Sequence, residues 1–213
     1  MRSLLTLACC VAMSPSAAGA QGPEKAATPA AALALVRLAV ESGDLKALAE
    51  HTAGDAGVTL RKLAEPYAKA KQANERLERL MKDKPEIGFK NPFGDLNPLA
   101  DMQYDIVEVG KEGVTLTARI RFGPRGKAQE EAILVRKDGN DWRVDLPGEL
   151  VKQLRAFSAP DRLERQIRGL DKLAEVLDTL AREVQEGKLK TKDAVTLRLL
   201  GLVDEAKLAQ LLK

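Results

Sequence analysis

Residue types that carry much of protein chemistry are scarce in this chain. Its two cysteines, Cys9 and Cys10, lie close to the N-terminus, and His51 is its one histidine. The rest of the chain therefore forms no disulfide and no thiolate site. One imidazole without converging ligands does not make a zinc site, and we interpret His51 as structural. The sequence predicts no metal, no cofactor and no catalytic residue.

Aromatic residues are also rare, with four Phe, two Tyr and one Trp. So few rings do not provide a platform on which bases stack. Charges nearly balance, with 34 Lys and Arg against 31 Asp and Glu, whereas a nucleic-acid-binding domain concentrates a basic excess. We therefore expect no nucleic-acid partner.

Long apolar runs are absent as well, and we expect no transmembrane segment, which takes about 20 apolar residues. A shorter apolar run, Leu4–Met13, follows Arg2 and precedes small residues at 18–20. This order is typical of a secretory signal peptide. We predict that residues 1–20 are removed near Ala20-Gln21 and that the protein is exported, to the periplasm or the medium.

A buried N-terminal helix and a lipid anchor are the alternative interpretations of the same segment. Cys9 and Cys10 come too early for a lipid anchor, and residues 6–8 (TLA) match a lipoprotein cleavage motif poorly. Cleavage without lipidation is therefore favoured. Residues 21–27 (QGPEKAA) are small and polar, which predicts a flexible leader.

The predicted folded part of the chain begins with helical patterns. Thr28-Pro29 is typical of a helix start, and Gly43 ends that helix after Ser42. Asp44 then caps a short helix over about 45–51. After a loop at 52–57, an apolar stripe predicts a long helix over 59–82, either kinked at Pro66 or beginning there.

The Pro, Gly and Asn residues of the segment 83–101 interrupt both helical and strand periodicity, although the segment holds five large apolar side chains. A segment of this kind is expected to pack against the core. We favour a connection that covers the core and keep a functional lid as the alternative.

Alternating apolar residues then predict four antiparallel strands, over about 102–109, 114–122, 131–137 and 142–146. One face of the second strand is wholly apolar, and it carries Val114, Leu116, Ala118, Ile120 and Phe122. A sheet with one apolar face must be covered, and the N-terminal helices are its expected cover.

The C-terminal part, 149–213, is helical in pattern. Apolar residues between Leu163 and Val184 alternate in steps of four and three, a seam typical of helix pairing. A further apolar set over 189–213 predicts a helical hairpin. The fold class is therefore α+β: N-terminal helices packed on a curved four-stranded antiparallel sheet, followed by this hairpin.

Two segments carry a resemblance to a known family. Residues 35–48 (LVRLAVESGDLKAL) look like a helix–GD–short helix opening, and residues 132–146 (AILVRKDGNDWRVDL) look like a strand–turn–W-x-V hairpin. With the order of elements, they resemble the nuclear transport factor 2-like superfamily, in particular its small secreted bacterial members of unknown function. The resemblance implies a cone-shaped α+β domain over about 28–148, with the tail from 149 as an addition.

Enzymes similar to that family, such as ketosteroid isomerases, use Asp, Tyr or His inside the cone. Asp101 and Asp105 are the acids near the first strand, and no pair here makes a recognisable dyad. The apolar strand face is interpreted as a filled core, with a ligand cavity as the alternative. The candidate ligand-binding residues are Tyr67, Phe89, Phe93, Tyr104 and Trp142.

Four arginines are expected on the outer face of the sheet: Arg119, Arg121, Arg136 and Arg143. Acidic neighbours at Glu130, Glu131 and Asp145 favour cross-strand ion pairing. A surface that binds an anion or a protein partner is the alternative.

The sequence leaves three functions open. The favoured one is an exported, non-catalytic module that binds a small apolar molecule, or a protein or second copy through the C-terminal helices. The others are a small cone-fold lyase or isomerase acting on an apolar substrate, and a structural envelope protein.

Overall fold

The computed structural model describes residues 26–94, 96, 99, 101–110, 115–156 and 159–211. The predicted signal peptide and most of the predicted leader lie outside these residues. Within the described residues no helix combines the length and apolar character needed to cross a bilayer. The same part of the chain contains no cysteine, so it has no disulfide.

The first two helices begin and end as predicted. Helix α1 is Pro29–Ser42, and the Thr28 side chain accepts a hydrogen bond from the backbone N–H of Ala31. Gly43 follows with φ 64°, the left-handed conformation that ends many helices. Helix α2 is Leu45–His51, and the Asp44 carboxylate accepts two backbone N–H groups of its first turn.

Helix α3, Gly54–Asp83, is longer than predicted and continues through Pro66. The predicted loop at 52–57 was therefore wrong from Gly54 onward. The N–H of Ala53 donates to the carbonyl of Val144 at 3.0 Å, which fixes the chain directly before the helix. Pro66 is buried, and we attribute the unbroken helix to packing that outweighs one lost backbone bond.

The segment after α3 packs against the core, as the favoured interpretation predicted. Ile87 and Leu99 are buried, and Phe89, Phe93 and Leu96 are partly buried against apolar neighbours. The Asn74 amide donates to the carbonyl of Gly94 at 2.8 Å, and the Asn91 amide donates to Asn74 at 2.6 Å. These bonds attach the segment to α3.

The four strands form one antiparallel sheet in the order β1–β2–β3–β4. They are β1 Met102–Val109, β2 Thr115–Pro124, β3 Gln129–Asp138 and β4 Asp141–Val144. Val114, predicted to open the second strand, lies outside the described residues. The third strand begins two residues earlier than predicted, and the fourth ends two residues earlier.

Burial alternates along β2 as the sequence predicted. Leu116, Ala118, Ile120 and Phe122 are buried, and the residues between them are exposed. Helix α1 covers this face, and its Leu33 and Val36 belong to the same apolar cluster. The sheet and α1 therefore bury each other's apolar faces.

The C-terminal helices are α4 Gly148–Ala156, α5 Pro160–Gln185, α6 Lys192–Glu205 and α7 Leu208–Leu211. Helix α5 packs along α3, and α6 and α7 return onto α5. The α+β class and the element order are thus confirmed. The apolar seam of α5 is covered within the same chain, chiefly by α3, and not only by the second arm of the hairpin.

Candidate functional site

An apolar cavity lies where α2, α3, α4 and α5 meet. Its volume is about 290 Å³, near the lower end of the roughly 300–1,000 Å³ typical of small-molecule sites. It is lined by Leu45, Leu48, Leu60, Leu63, Tyr67, Leu99, Leu150, Leu154, Gln166 and Leu170. Among these residues none is charged, so the wall is suited to an apolar molecule.

Helical spacing explains why these side chains converge. Leu60, Leu63 and Tyr67 are three and four residues apart, so they form one stripe on α3. Leu150 and Leu154 on α4 are four apart, as are Gln166 and Leu170 on α5. Three helices therefore each present one face to the same space.

Leu63 differs from most other residues of this wall. It is only partly buried, and it belongs to neither of the two buried apolar clusters. Leu48 and Leu60, by contrast, are core residues with almost no exposed surface. Leu63 therefore contributes more to the cavity wall than to the core.

Two of the described wall residues, Tyr67 and Gln166, are polar. The Tyr67 hydroxyl donates a hydrogen bond to the carbonyl of Leu96 at 2.5 Å, which ties α3 to the segment beyond it. Gln166 is partly buried, and its amide makes no hydrogen bond with the described part of the chain. Gln166 is thus the polar group available to a ligand.

A polar cleft adjoins this cavity and shares Leu45 and Tyr67 with it. Its volume is about 380 Å³, and its charged residues are Asp44, Lys46, Lys71 and Glu75. The two cations and two anions among its described residues leave no net charge. The apolar cavity and the polar cleft therefore differ sharply in what they can bind.

The apolar face of the sheet is not this cavity. Leu116, Ala118, Ile120 and Phe122 are at most 5% exposed, and none of them lines the space between the helices. The filled-core interpretation agrees with this burial. The cavity is lined instead by residues of α2, α3, α4 and α5 and by Leu99, and sequence periodicity gave no signal for it.

Tyr104 is buried under α1 and not exposed to any ligand space. Its ring meets Phe122 edge to face, with centroids 6.2 Å apart. Its hydroxyl is inaccessible and has no partner among the described residues. Burial, with a smaller contribution from the charge of Glu131, raises the pKa of Tyr104 well above its usual range.

The predicted ligand-binding residues are dispersed over the molecule. Tyr67 lines the cavity, but Trp142 is a core residue whose backbone N–H donates to the carbonyl of Ala26 at 3.0 Å. Phe89 and Phe93 pack against the C-terminal cluster. The structure therefore brings only Tyr67 to this cavity, and the leucines and Gln166 were missed.

The four arginines of the outer sheet face form ion pairs. Arg119 meets Glu108 at 2.7 Å and Arg121 meets Glu130 at 2.7 Å. Arg136 pairs with Asp145, and Arg143 meets Asp138 at 3.1 Å. The ion-pairing interpretation is confirmed, although Glu131 instead accepts a hydrogen bond from the N–H of Gly148.

His51 is the last residue of α2 and is buried. In the described part of the chain no three His, Asp or Glu residues lie close enough to hold a metal ion.

Comparisons with protein-family models, with curated proteins and with solved structures gave no match. The resemblance to the nuclear transport factor 2-like superfamily therefore stays a prediction that depends on the two sequence segments.

Proposed function

We propose that this protein is an exported, non-catalytic module that binds a small apolar molecule in the cavity between α2, α3, α4 and α5. The observation that carries the proposal is the cavity wall, in which eight leucines surround a space of about 290 Å³. Burying apolar ligand surface there would contribute about 25 cal/mol per Å². Export follows from the predicted signal peptide.

Binding is favoured over catalysis because acid–base chemistry needs a titratable pair within reach of the substrate. The cavity-wall residues that the structure describes include no carboxylate and no histidine. Tyr104, a candidate ligand-binding residue, has a buried hydroxyl without a hydrogen-bond partner among the described residues. A lyase or isomerase would need groups that the described part of this wall does not contain.

The proposal is tested by filling the cavity. Leu63→Trp places an indole in the wall at a partly exposed position, and we expect it to weaken binding of the neutral dye N-phenyl-naphthylamine at least tenfold. Leu38→Trp is the matched control, because Leu38 is 59% exposed on α1 and lies outside the cavity.

Dye fluorescence titrations and thermal melts of both variants decide the outcome. The proposal requires that both variants melt like the wild type and that only Leu63→Trp loses the dye. Equal dye binding by the wild type and Leu63→Trp would contradict it.

A second candidate function is self-association through α6. The observation in its favour is that Leu197 and Leu200 are 70% and 60% exposed on one side of that helix. The seam of α5, which prompted the prediction, is covered by α3. Sedimentation of Leu197→Ser/Leu200→Ser against the wild type tests this candidate; identical monomeric behaviour would exclude it.

A further inference from the structure

The polarity of the cavity wall restricts the chemical class of the ligand more than the volume of the cavity does. None of the described residues that line the cavity is charged, and an ionised group buried among them would lose its hydration without gaining a counter-charge. The part of the ligand inside the cavity is therefore uncharged.

Among the described residues of the wall, Gln166 supplies the one polar contact that stays open to a ligand. Its amide can both donate and accept, and it has no partner in the described part of the chain. The Tyr67 hydroxyl already donates its proton to the carbonyl of Leu96. A ligand hydroxyl or carbonyl is thus matched by Gln166.

The adjoining polar cleft does not favour an anionic head group. Lys46 and Lys71 are there, but Asp44 and Glu75 line the same cleft. The Asp44 carboxylate also accepts two backbone N–H groups at the start of α2, so it is fixed in position. A carboxylate would meet no net positive charge.

We infer that the ligand is a neutral amphiphile, an apolar body with one uncharged hydrogen-bonding group, and that Gln166 is the residue that selects it. This inference depends on the proposed function and adds the ligand class.

The test measures how octanol and octanoate displace N-phenyl-naphthylamine from the full exported chain at pH ~8, where the carboxylate is ionised. We expect octanol to bind at least tenfold more tightly than octanoate. Gln166→Leu should weaken octanol binding roughly threefold to tenfold, the effect of one lost hydrogen bond, after each displacement constant is corrected for that variant's own affinity for the dye. Gln72→Leu, the same change in the polar cleft, should leave octanol binding unchanged.

The outcomes separate the two proposals. Dye binding with octanoate equal to or tighter than octanol would overturn the inference and leave the proposed function intact. So would Gln166→Leu binding octanol as well as the wild type does. Failure of the wild type to bind the dye at all would overturn the proposed function itself.

Discussion

The two tyrosines provide a paired test of the packing described above. Tyr67→Phe removes a hydroxyl that donates to the carbonyl of Leu96 at 2.5 Å. Tyr104→Phe removes a hydroxyl that is buried and has no partner among the described residues. The chemical change is the same, and only the hydrogen bonding of the lost group differs.

The magnitudes follow from that difference. Losing a hydrogen-bonded hydroxyl costs about 0.5–1.5 kcal/mol of unfolding free energy, and the carbonyl of Leu96 would lose a partner as well. An unpaired buried hydroxyl carries a desolvation penalty of about 1–3 kcal/mol, and its removal relieves this penalty. The void left behind cancels part of the gain, because the atoms around it lose van der Waals contacts. We expect Tyr67→Phe to be destabilised by about 1 kcal/mol and Tyr104→Phe to be unchanged or up to about 1 kcal/mol more stable.

The loss of stability at alkaline pH provides a second test of the Tyr104 hydroxyl. Because its pKa is raised in the folded state, the hydroxyl stays protonated there while the unfolded chain ionises near pH ~10. The unfolded state then binds fewer protons, so stability falls as pH rises above that value. Tyr104→Phe should remove this part of the alkaline loss.

Urea unfolding at neutral pH and near pH ~11, followed by circular dichroism, measures both effects. If Tyr104→Phe were destabilised as much as Tyr67→Phe at neutral pH, the Tyr104 hydroxyl would have a partner and the reasoning would be refuted.

Three further predictions concern other parts of the chain. Gly57→Ala should lower the free energy of unfolding by about 1–3 kcal/mol, because a Cβ there would lie 2.6 Å from the carbonyl oxygen of Thr52. Gly201→Ala, with open space around it, should raise the free energy of unfolding by about 0.5–1 kcal/mol in the same urea assay. The Arg198 side chain, by hydrogen bonding and by its charge, lowers the pKa of Glu183. Glu183→Gln should therefore lower the free energy of unfolding at neutral pH. The difference from the wild type should disappear as the pH falls below ~4, where the carboxylate becomes protonated. Mass spectrometry of the exported protein should find an N-terminus at Gln21, and a retained N-terminus would contradict the signal prediction.

Local signals in the sequence predicted the elements that depend on them. Thr28, Asp44 and Gly43 are capping residues with their own geometry, and each does in the structure what its residue type favours. The period of two along β2 is likewise local, and the buried residues follow it. Such features need no knowledge of distant contacts.

The cavity could not be predicted in the same way. Its wall joins stripes from α2, α3, α4 and α5, and a leucine stripe gives the same sequence pattern whether it fills a core or borders a space. The start of α3 was wrong for a related reason. It depends on the hydrogen bond from Ala53 to Val144, a contact between residues far apart in sequence.

The α5 seam shows the same limit. Its heptad spacing predicted that a helix would pack against it, but spacing does not say which one. In the structure α3 packs along it, with Arg76 and Asp178 forming an ion pair at 2.6 Å across the contact. An apolar seam therefore predicts a covered face and not a second molecule.

The most direct test of the central claim is a crystal structure of the chain from Gln21 grown with saturating octanol. We expect density for one octanol between α3 and α5, with its chain against Leu63 and its hydroxyl within hydrogen-bonding distance of Gln166. An empty cavity at saturation, or octanol bound only elsewhere, would contradict the account.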